Sequence, residues 1–155
     1  MSKILKLIVS ILICQGAGFI GSFFTVSSVG SWYQRLAKPS FSPPDWLFGP
    51  VWITLYLLMG ISLYLVWSQW PLPGTKAALA LFGLQLFLNA AWSVLFFGLK
   101  QPGPAFVEIA ILFSAIAVTF LLFIRISKPA AYLLIPYLVW VGFAAFLNFS
   151  IWRLN

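Results

Sequence analysis

The chain has 155 residues, of which 63% are hydrophobic and 7% are charged, and nine lysines and arginines against two acids give a net charge of +7. Soluble domains carry about 25% charged residues, so this composition excludes a soluble fold, whose surface needs far more polar groups. Because the cations stand singly or in pairs between apolar runs, they indicate membrane-end anchors and lipid headgroup contacts and argue against nucleic-acid binding.

The residue types that common catalytic and metal sites require are missing. The sequence has no histidine, a single cysteine (Cys14), and only Asp45 and Glu108 as acids. Zinc and iron sites, and Ser/His or Cys/His catalysis, therefore lack their parts. We expect no metal site, no internal disulfide and no required cofactor.

Five stretches are apolar enough, and at about 20 residues long enough, to cross a membrane. They predict an all-α integral membrane protein, a single domain over residues 1–155 that folds as a bundle of five transmembrane helices. The first stretch follows Lys3 and Lys6 and imitates a signal peptide, but it has no good cleavage site, so we expect an uncleaved helix. The predicted spans cover residues 4–26, 46–67, 77–99, 104–124 and 130–151.

The loop of residues 28–45 separates the first two spans and is not simply apolar. Its prolines fix the backbone and remove donors, so it is predicted to be a stiff, partly extended lid. Arg35 and Lys38 could meet carboxylates on a ligand, and Asp45 is suited to capping the next helix. Arg35 and Asp45 could also clasp the loop, with solvent-exposed charges of little pairing energy as the alternative. The lid prolines are Pro39, Pro43 and Pro44.

Side chains on three spans predict a ligand pocket under this lid. On each span, aromatic or polar residues stand about four apart and therefore share one helix face. An unpartnered amide in hydrocarbon costs several kcal/mol, so these faces meet protein, water or a ligand, and hydrogen bonds between helices are the alternative. If all point inward, they enclose an aromatic pocket for a large, flat, lipophilic ligand. The residues are Trp52 and Tyr56, then Gln85, Asn89, Trp92 and Ser93, then Trp140, Ala144 and Leu147.

Other intramembrane residues leave two interpretations open. Ala17 and Gly21 form a small-xxx-small pair, which indicates tight helix packing or a ligand lying against a thin face. Glu108 is expected near the N-terminus of the fourth helix, favoured by the helix dipole, with a buried functional carboxylate as the alternative. Pro50 predicts a kink or a late start of the second helix, and Pro136 predicts a bend in the fifth.

Six motifs spread in order over nearly the whole chain carry a family resemblance. They are Trp32-Tyr33, Lys38-Pro39-Ser40-Phe41-Ser42-Pro43-Pro44, Gly49-Pro50-Val51-Trp52, Leu88-Asn89-x-x-Trp92-Ser93, Pro136-Tyr137-Leu138-x-Trp140-x-x-Phe143-Ala144 and Leu147-Asn148-Phe149-x-x-Trp152-Arg153. Together they resemble the TspO/MBR family, which contains bacterial tryptophan-rich sensory proteins and the mitochondrial translocator protein, or peripheral benzodiazepine receptor.

The resemblance implies a homodimer of five-helix bundles whose pocket opens toward the first loop. It implies binding of porphyrins, protoporphyrin IX or heme, and of benzodiazepine-type ligands. Some bacterial members are reported to degrade protoporphyrin in light, so Trp52 and Trp140 would be the catalytic residues if this protein is an enzyme. The expected location is a bacterial cell membrane, in preference to the mitochondrial outer membrane. The pocket positions carried over are Tyr33, Trp52, Asn89, Trp140, Ala144 and Leu147.

Three functions follow, and turnover separates the first two. The first is a sensory or regulatory porphyrin binder, the second is a light-dependent protoporphyrin-degrading enzyme, and the third is a transporter of porphyrin or another lipophilic ligand. Cholesterol recognition is doubtful, because Phe149 stands where the cholesterol pattern of animal members has a tyrosine, and that pattern is weak even when complete.

Overall fold

The computed structural model describes residues 1–155. The helices are α1 (Lys3–Val29), α2 (Asp45–Trp67), α3 (Thr75–Ser93), α4 (Pro102–Ile124), α5 (Lys128–Leu133) and α6 (Ile135–Leu154). A π-helical turn, Val94–Gly98, continues α3, and α5 and α6 together form one long segment. Five segments are long and apolar enough to cross a membrane, which confirms the predicted all-α bundle of five membrane helices.

Both the inside and the outside of this bundle are apolar. α1 packs on α2 and α3, and α4 packs on α3 and α6. Large side chains on the outer faces, such as Phe19, Phe23, Phe87 and Val139, are exposed. Helices satisfy their own backbone hydrogen bonds, so such faces are suited to lipid. The molecule is therefore a multi-pass membrane protein.

The small residues of α1 and α2 allow these two helices to approach closely. A Cβ atom at Gly60 would lie 2.7 Å from the Cα of Ile11, and one at Gly18 would lie 2.5 Å from the Tyr56 ring. A Cβ at Gly21 would lie 3.0 Å from the Ser93 hydroxyl of α3. Tight packing thus accounts for Gly21, as the small-residue pattern predicts, with Gly18 and Gly60 as further contact points.

The predicted roles of Asp45 and the helix prolines are only partly found in the structure. Pro44 precedes α2, and Asp45 is its first residue and makes no capping hydrogen bond, so the predicted cap does not form. Pro50 lies inside α2, which does not start late. The fifth segment breaks at Leu134, and Pro136 lies in the first turn of α6, where a missing backbone donor costs nothing. The predicted fifth span is therefore interrupted at Leu134, two residues before Pro136.

Glu108 lies deeper than expected. Because α4 begins at Pro102, no acid stands in its first turn, and both Glu108 carboxylate oxygens are buried without a hydrogen-bond partner. The expectation that Glu108 lies in about the first turn and is favoured by the helix dipole is therefore wrong, because the helix starts nearly two turns before it.

The close contact at Gly60 predicts a large effect of a side chain there. We expect Gly60→Leu to lower the free energy of unfolding by about 1–3 kcal/mol, since the new atoms would press on the Ile11 backbone. Gly83→Leu is the matched control, because a Cβ there meets no atom within 4 Å. Unfolding midpoints in detergent measure both, and equal midpoints would contradict the contact.

Candidate functional site

A cavity of about 610 Å³ lies between α1, α2, α3 and α6, at the end of the bundle that the first loop covers. This volume is within the range of small-molecule sites, about 300–1,000 Å³. Most of the predicted ligand-binding residues lie on its wall, which brings three helices and the loop together. They are Tyr33, Trp52, Tyr56, Trp92, Ser93, Trp140, Ala144 and Leu147.

Gln85 and Asn89 lie behind this wall, in a buried hydrogen-bond network with two tyrosines. The Tyr56 hydroxyl donates to Asn89 Oδ1, and Asn89 Nδ2 donates to the Tyr137 hydroxyl at 2.8 Å. The Tyr137 hydroxyl in turn donates to Gln85 Oε1 at 2.7 Å. Neither amide lines the cavity, in contrast to the predicted pocket stripe. Bonds between helices, the other interpretation, account for both.

The aromatic rings of the cavity wall are held by other rings and by one amide. Trp52 stacks on Tyr56 with ring centroids 5.6 Å apart and an interplanar angle of 28°. Trp92 stacks on Phe96 at 5.3 Å, and its Nε1 donates to Asn148 Oδ1 at 2.9 Å. Such pairs contribute about 0.5–1.5 kcal/mol each beyond their buried area. The wall is thus a set of flat surfaces whose orientation is fixed before any ligand binds.

The loop over the cavity is docked on other parts of the chain. The backbone N–H of Ala37 donates to Asn155 Oδ1 at 3.0 Å, and Asn155 Nδ2 donates to the Ala37 carbonyl at 2.9 Å. The Lys38 ammonium lies over the Tyr33 ring, 4.7 Å from its centroid. Phe41 stacks on Phe146 of α6 at 5.2 Å. The loop is therefore held against α6 and Asn155, and its Tyr33 lines the cavity.

The prolines and charged residues of the lid do not all make the contacts that the sequence suggested. The backbone has no helix between Arg35 and Asp45, as Pro39, Pro43 and Pro44 predict. The partner of Asp45 Oδ2 is Gln34 Nε2, which donates to it at 2.9 Å, and Arg35 is exposed. The suggested Arg35–Asp45 clasp is replaced by this Gln34 bond, because Gln34 and not Arg35 faces the start of α2.

Tyr33 is the loop residue that lines the cavity. Its side chain is 1% exposed. Burial raises the pKa of Tyr33 above its ordinary value, the neighbouring Ser42 hydroxyl acts against this rise, and the Asp45 charge adds to it. The net direction is upward, so the hydroxyl stays protonated at neutral pH. The Tyr33 and Ser42 hydroxyls are both buried and interact with each other, so the Tyr33 ring is the part of the side chain that faces a ligand.

One wall of the cavity was not among the predicted site residues. It belongs to α1 and includes five small residues, Gly16, Gly18, Gly21, Ser22 and Thr25, beside Leu12, Gln15 and Phe19. The sequence signal for this wall was the row of small residues on the first span. That row was compatible with a bound ligand or with tight helix packing. This face of α1 both borders the cavity and packs tightly, since Gly18 and Gly21 also contact Tyr56 and Ser93.

The fold and the site define a multi-pass α-helical membrane protein with a largely aromatic cavity under a docked loop. Comparison with known proteins gives the family, because residues 10–153 match the TspO/MBR family. The chain belongs to the TspO/MBR family, as its motifs predict.

The relatives come from different domains of life and cover most of the chain. The tryptophan-rich protein TspO of Chlorobaculum tepidum is 46% identical over 154 residues, 99% of this chain and 98% of the relative. The protein of the same name from Archaeoglobus fulgidus is 49% identical over 155 residues, 99% of each. The human translocator protein is 45% identical over 141 residues, 88% of this chain and 82% of the relative.

The amide–tyrosine network predicts a measurable contribution to stability. Tyr137→Phe would leave Asn89 Nδ2 without its acceptor and Gln85 Oε1 without its donor, so we expect a loss of about 1–3 kcal/mol in the free energy of unfolding. Tyr132→Phe, on an exposed side chain, is the control and should be neutral. If both variants unfold at the midpoint of the unaltered protein in detergent, the network does not stabilise the bundle.

Proposed function

We propose that this protein binds porphyrins, protoporphyrin IX or heme, and other flat lipophilic molecules in the cavity, and that binding has a sensory or regulatory role in tetrapyrrole or stress handling. The observation that carries the proposal is a cavity of about 610 Å³ with Trp52, Trp92 and Trp140 on its wall. Flat rings in fixed orientations suit the faces of a flat macrocycle. A relative from Cereibacter sphaeroides, 37% identical over 124 residues, is named tryptophan-rich sensory protein.

The loop end of the cavity supports a ligand with an anionic group. Tyr33 lines the cavity there, and the Lys38 ammonium lies over the Tyr33 ring. A carboxylate is stabilised by a nearby cation. Porphyrins with carboxylate side chains combine this polar edge with an apolar face, as the cavity requires.

Light-dependent degradation of protoporphyrin is the second candidate. The observation that favours it is the position of both indoles, Trp52 and Trp140, on the wall of one cavity. An indole is oxidisable and can react with, or quench, an excited porphyrin at van der Waals contact. In this alternative Trp52 and Trp140 are the catalytic residues, and one protein molecule degrades many porphyrin molecules.

The setting of this activity is also a proposal. The family resemblance supports a homodimer, and the exposed apolar faces of the helices support lipid as the main surrounding partner. The relatives from Chlorobaculum tepidum and Archaeoglobus fulgidus cover almost the whole chain, which supports a prokaryotic cell membrane as the location.

Titration with protoporphyrin IX in lipid nanodiscs, in the dark, tests binding. We expect saturable tryptophan quenching by the unaltered protein, and affinities reduced about twofold to tenfold in Trp52→Phe and Trp140→Phe, the equivalent of one aromatic pair. Trp46→Phe is the control, because Trp46 is 72% exposed and lies outside the cavity wall. Absence of saturable binding would overturn both candidate functions.

Illumination of the same samples separates the two candidates. A porphyrin spectrum that persists in light supports a binder. Bleaching to a defined product that requires the protein, and that Trp52→Phe and Trp140→Phe abolish while Trp46→Phe does not, supports the enzyme.

A further inference from the structure

The cavity reaches the outer surface of the bundle between α1 and α2. Three side chains that line it are also exposed on the outside: Leu12 and Phe19 of α1, the latter 75% exposed, and Ile53 of α2, 62% exposed. Gly49, at the loop end of α2, lines the cavity and is exposed as well. An outer surface at this depth of a membrane helix faces lipid tails, so the opening faces hydrocarbon.

This opening is a slot that is closed at one end. Away from the loop, Gly60 lies against the backbone of Ile11, where a Cβ would come within 2.7 Å. Gln15 Nε2 then donates to the Ile53 carbonyl at 3.1 Å, which links the two helices by one hydrogen bond. Toward the loop, a Cβ at Gly16 or at Gly49 would meet no atom within 4 Å. The two helix backbones thus approach closely at Gly60, and Gly18 meets the Tyr56 ring on the inner side, while Gly16 and Gly49 border free space.

The loop is the other way into the cavity, and it is more firmly closed. To lift it, the paired hydrogen bonds between Ala37 and Asn155, the Lys38–Tyr33 contact and the stacking of Phe41 must all be released. Passage between α1 and α2 displaces exposed side chains such as Phe19, which rotate on a fast time scale. A lipophilic ligand is, in addition, concentrated in the bilayer, because burial of apolar surface favours that phase.

We propose that the cavity is loaded sideways from the hydrocarbon core of the bilayer, through the slot between α1 and α2, while the loop stays docked. The proposal rests on the proposed function, since it concerns how the same ligand reaches the same site. It also narrows the ligand class to membrane-dissolved amphiphiles, whose flat apolar body passes the slot and whose polar group ends at the loop end of the cavity, near the Lys38 ammonium over the Tyr33 ring.

The two glycines at the slot provide a test that leaves the fold intact. Leucine at Gly16 or at Gly49 has free space for its Cβ and would narrow the passage. A narrowed passage slows arrival and departure equally. We therefore expect both the association and the dissociation rate constants of protoporphyrin IX to fall, by about tenfold or more. Stopped-flow tryptophan quenching in nanodiscs, in the dark, measures both rates.

Two further variants complete the experiment. Gly83→Leu adds the same side chain at an exposed helical glycine outside the cavity wall and should leave both rate constants unchanged. Asn155→Ala removes both bonds to Ala37 and should also leave the association rate unchanged, because the loop does not open for loading.

The outcomes separate this proposal from the proposed function. Unchanged rates in the Gly16 and Gly49 variants, or a fall in association alone with a weakened affinity, would overturn the slot. Faster association in Asn155→Ala would overturn it too and would assign loading to the loop. If the unaltered protein binds no protoporphyrin IX, it is the proposed function that fails.

Discussion

The buried hydrogen bonds among two amides and two tyrosine hydroxyls are the interaction on which the site depends. Tyr56, Asn89, Tyr137 and Gln85 come from α2, α3 and α6, and each bond crosses from one helix to another. In a membrane interior no water replaces a missing partner, so these side chains must find each other. Their pairing sets how the three helices face one another, and that in turn sets the shape of the cavity.

The aromatic wall follows from this arrangement. Because Tyr56 is bonded to Asn89, its ring is fixed, and Trp52 stacks on it. Trp92 is fixed in the same manner by Asn148. Polar atoms behind the wall thus determine the orientation of apolar rings in front of it. Tyr33 differs from these residues, because it comes from the loop and its ring lies under the Lys38 ammonium.

Composition and spacing were sufficient to predict the bundle and part of the wall. Long apolar runs require membrane helices, and the four-residue spacing of Trp52 and Tyr56 requires one common face, which the structure places on the cavity. The same spacing also predicted that Gln85 and Asn89 line the cavity beside Ser93. For these two amides the prediction is wrong. Helix periodicity defines a face but not its neighbour, and the neighbour of these two amides is Tyr137, not the cavity.

Contacts between distant parts of the chain were beyond sequence reasoning for a related reason. Nothing local in the loop indicates that Ala37 pairs with Asn155, 118 positions away. The neighbouring charges Arg35 and Asp45 suggested a clasp, whereas the loop geometry presents Gln34 to Asp45. The thin face of α1 was visible in the sequence, but only the three-dimensional arrangement shows that one part of it packs tightly and another borders an opening.

Mapping of photo-oxidised residues by mass spectrometry is the most direct measurement of the central claim, that a flat macrocycle occupies the cavity between Trp52 and Trp140. Protoporphyrin IX at one equivalent in nanodiscs, under brief illumination, would mark the side chains it contacts. The account predicts oxidation concentrated on Trp52, Trp92 and Trp140. Oxidation that follows exposure instead, concentrated on Trp46, Trp70 and Trp152, would contradict it, because the porphyrin would then lie in the lipid and not in the protein.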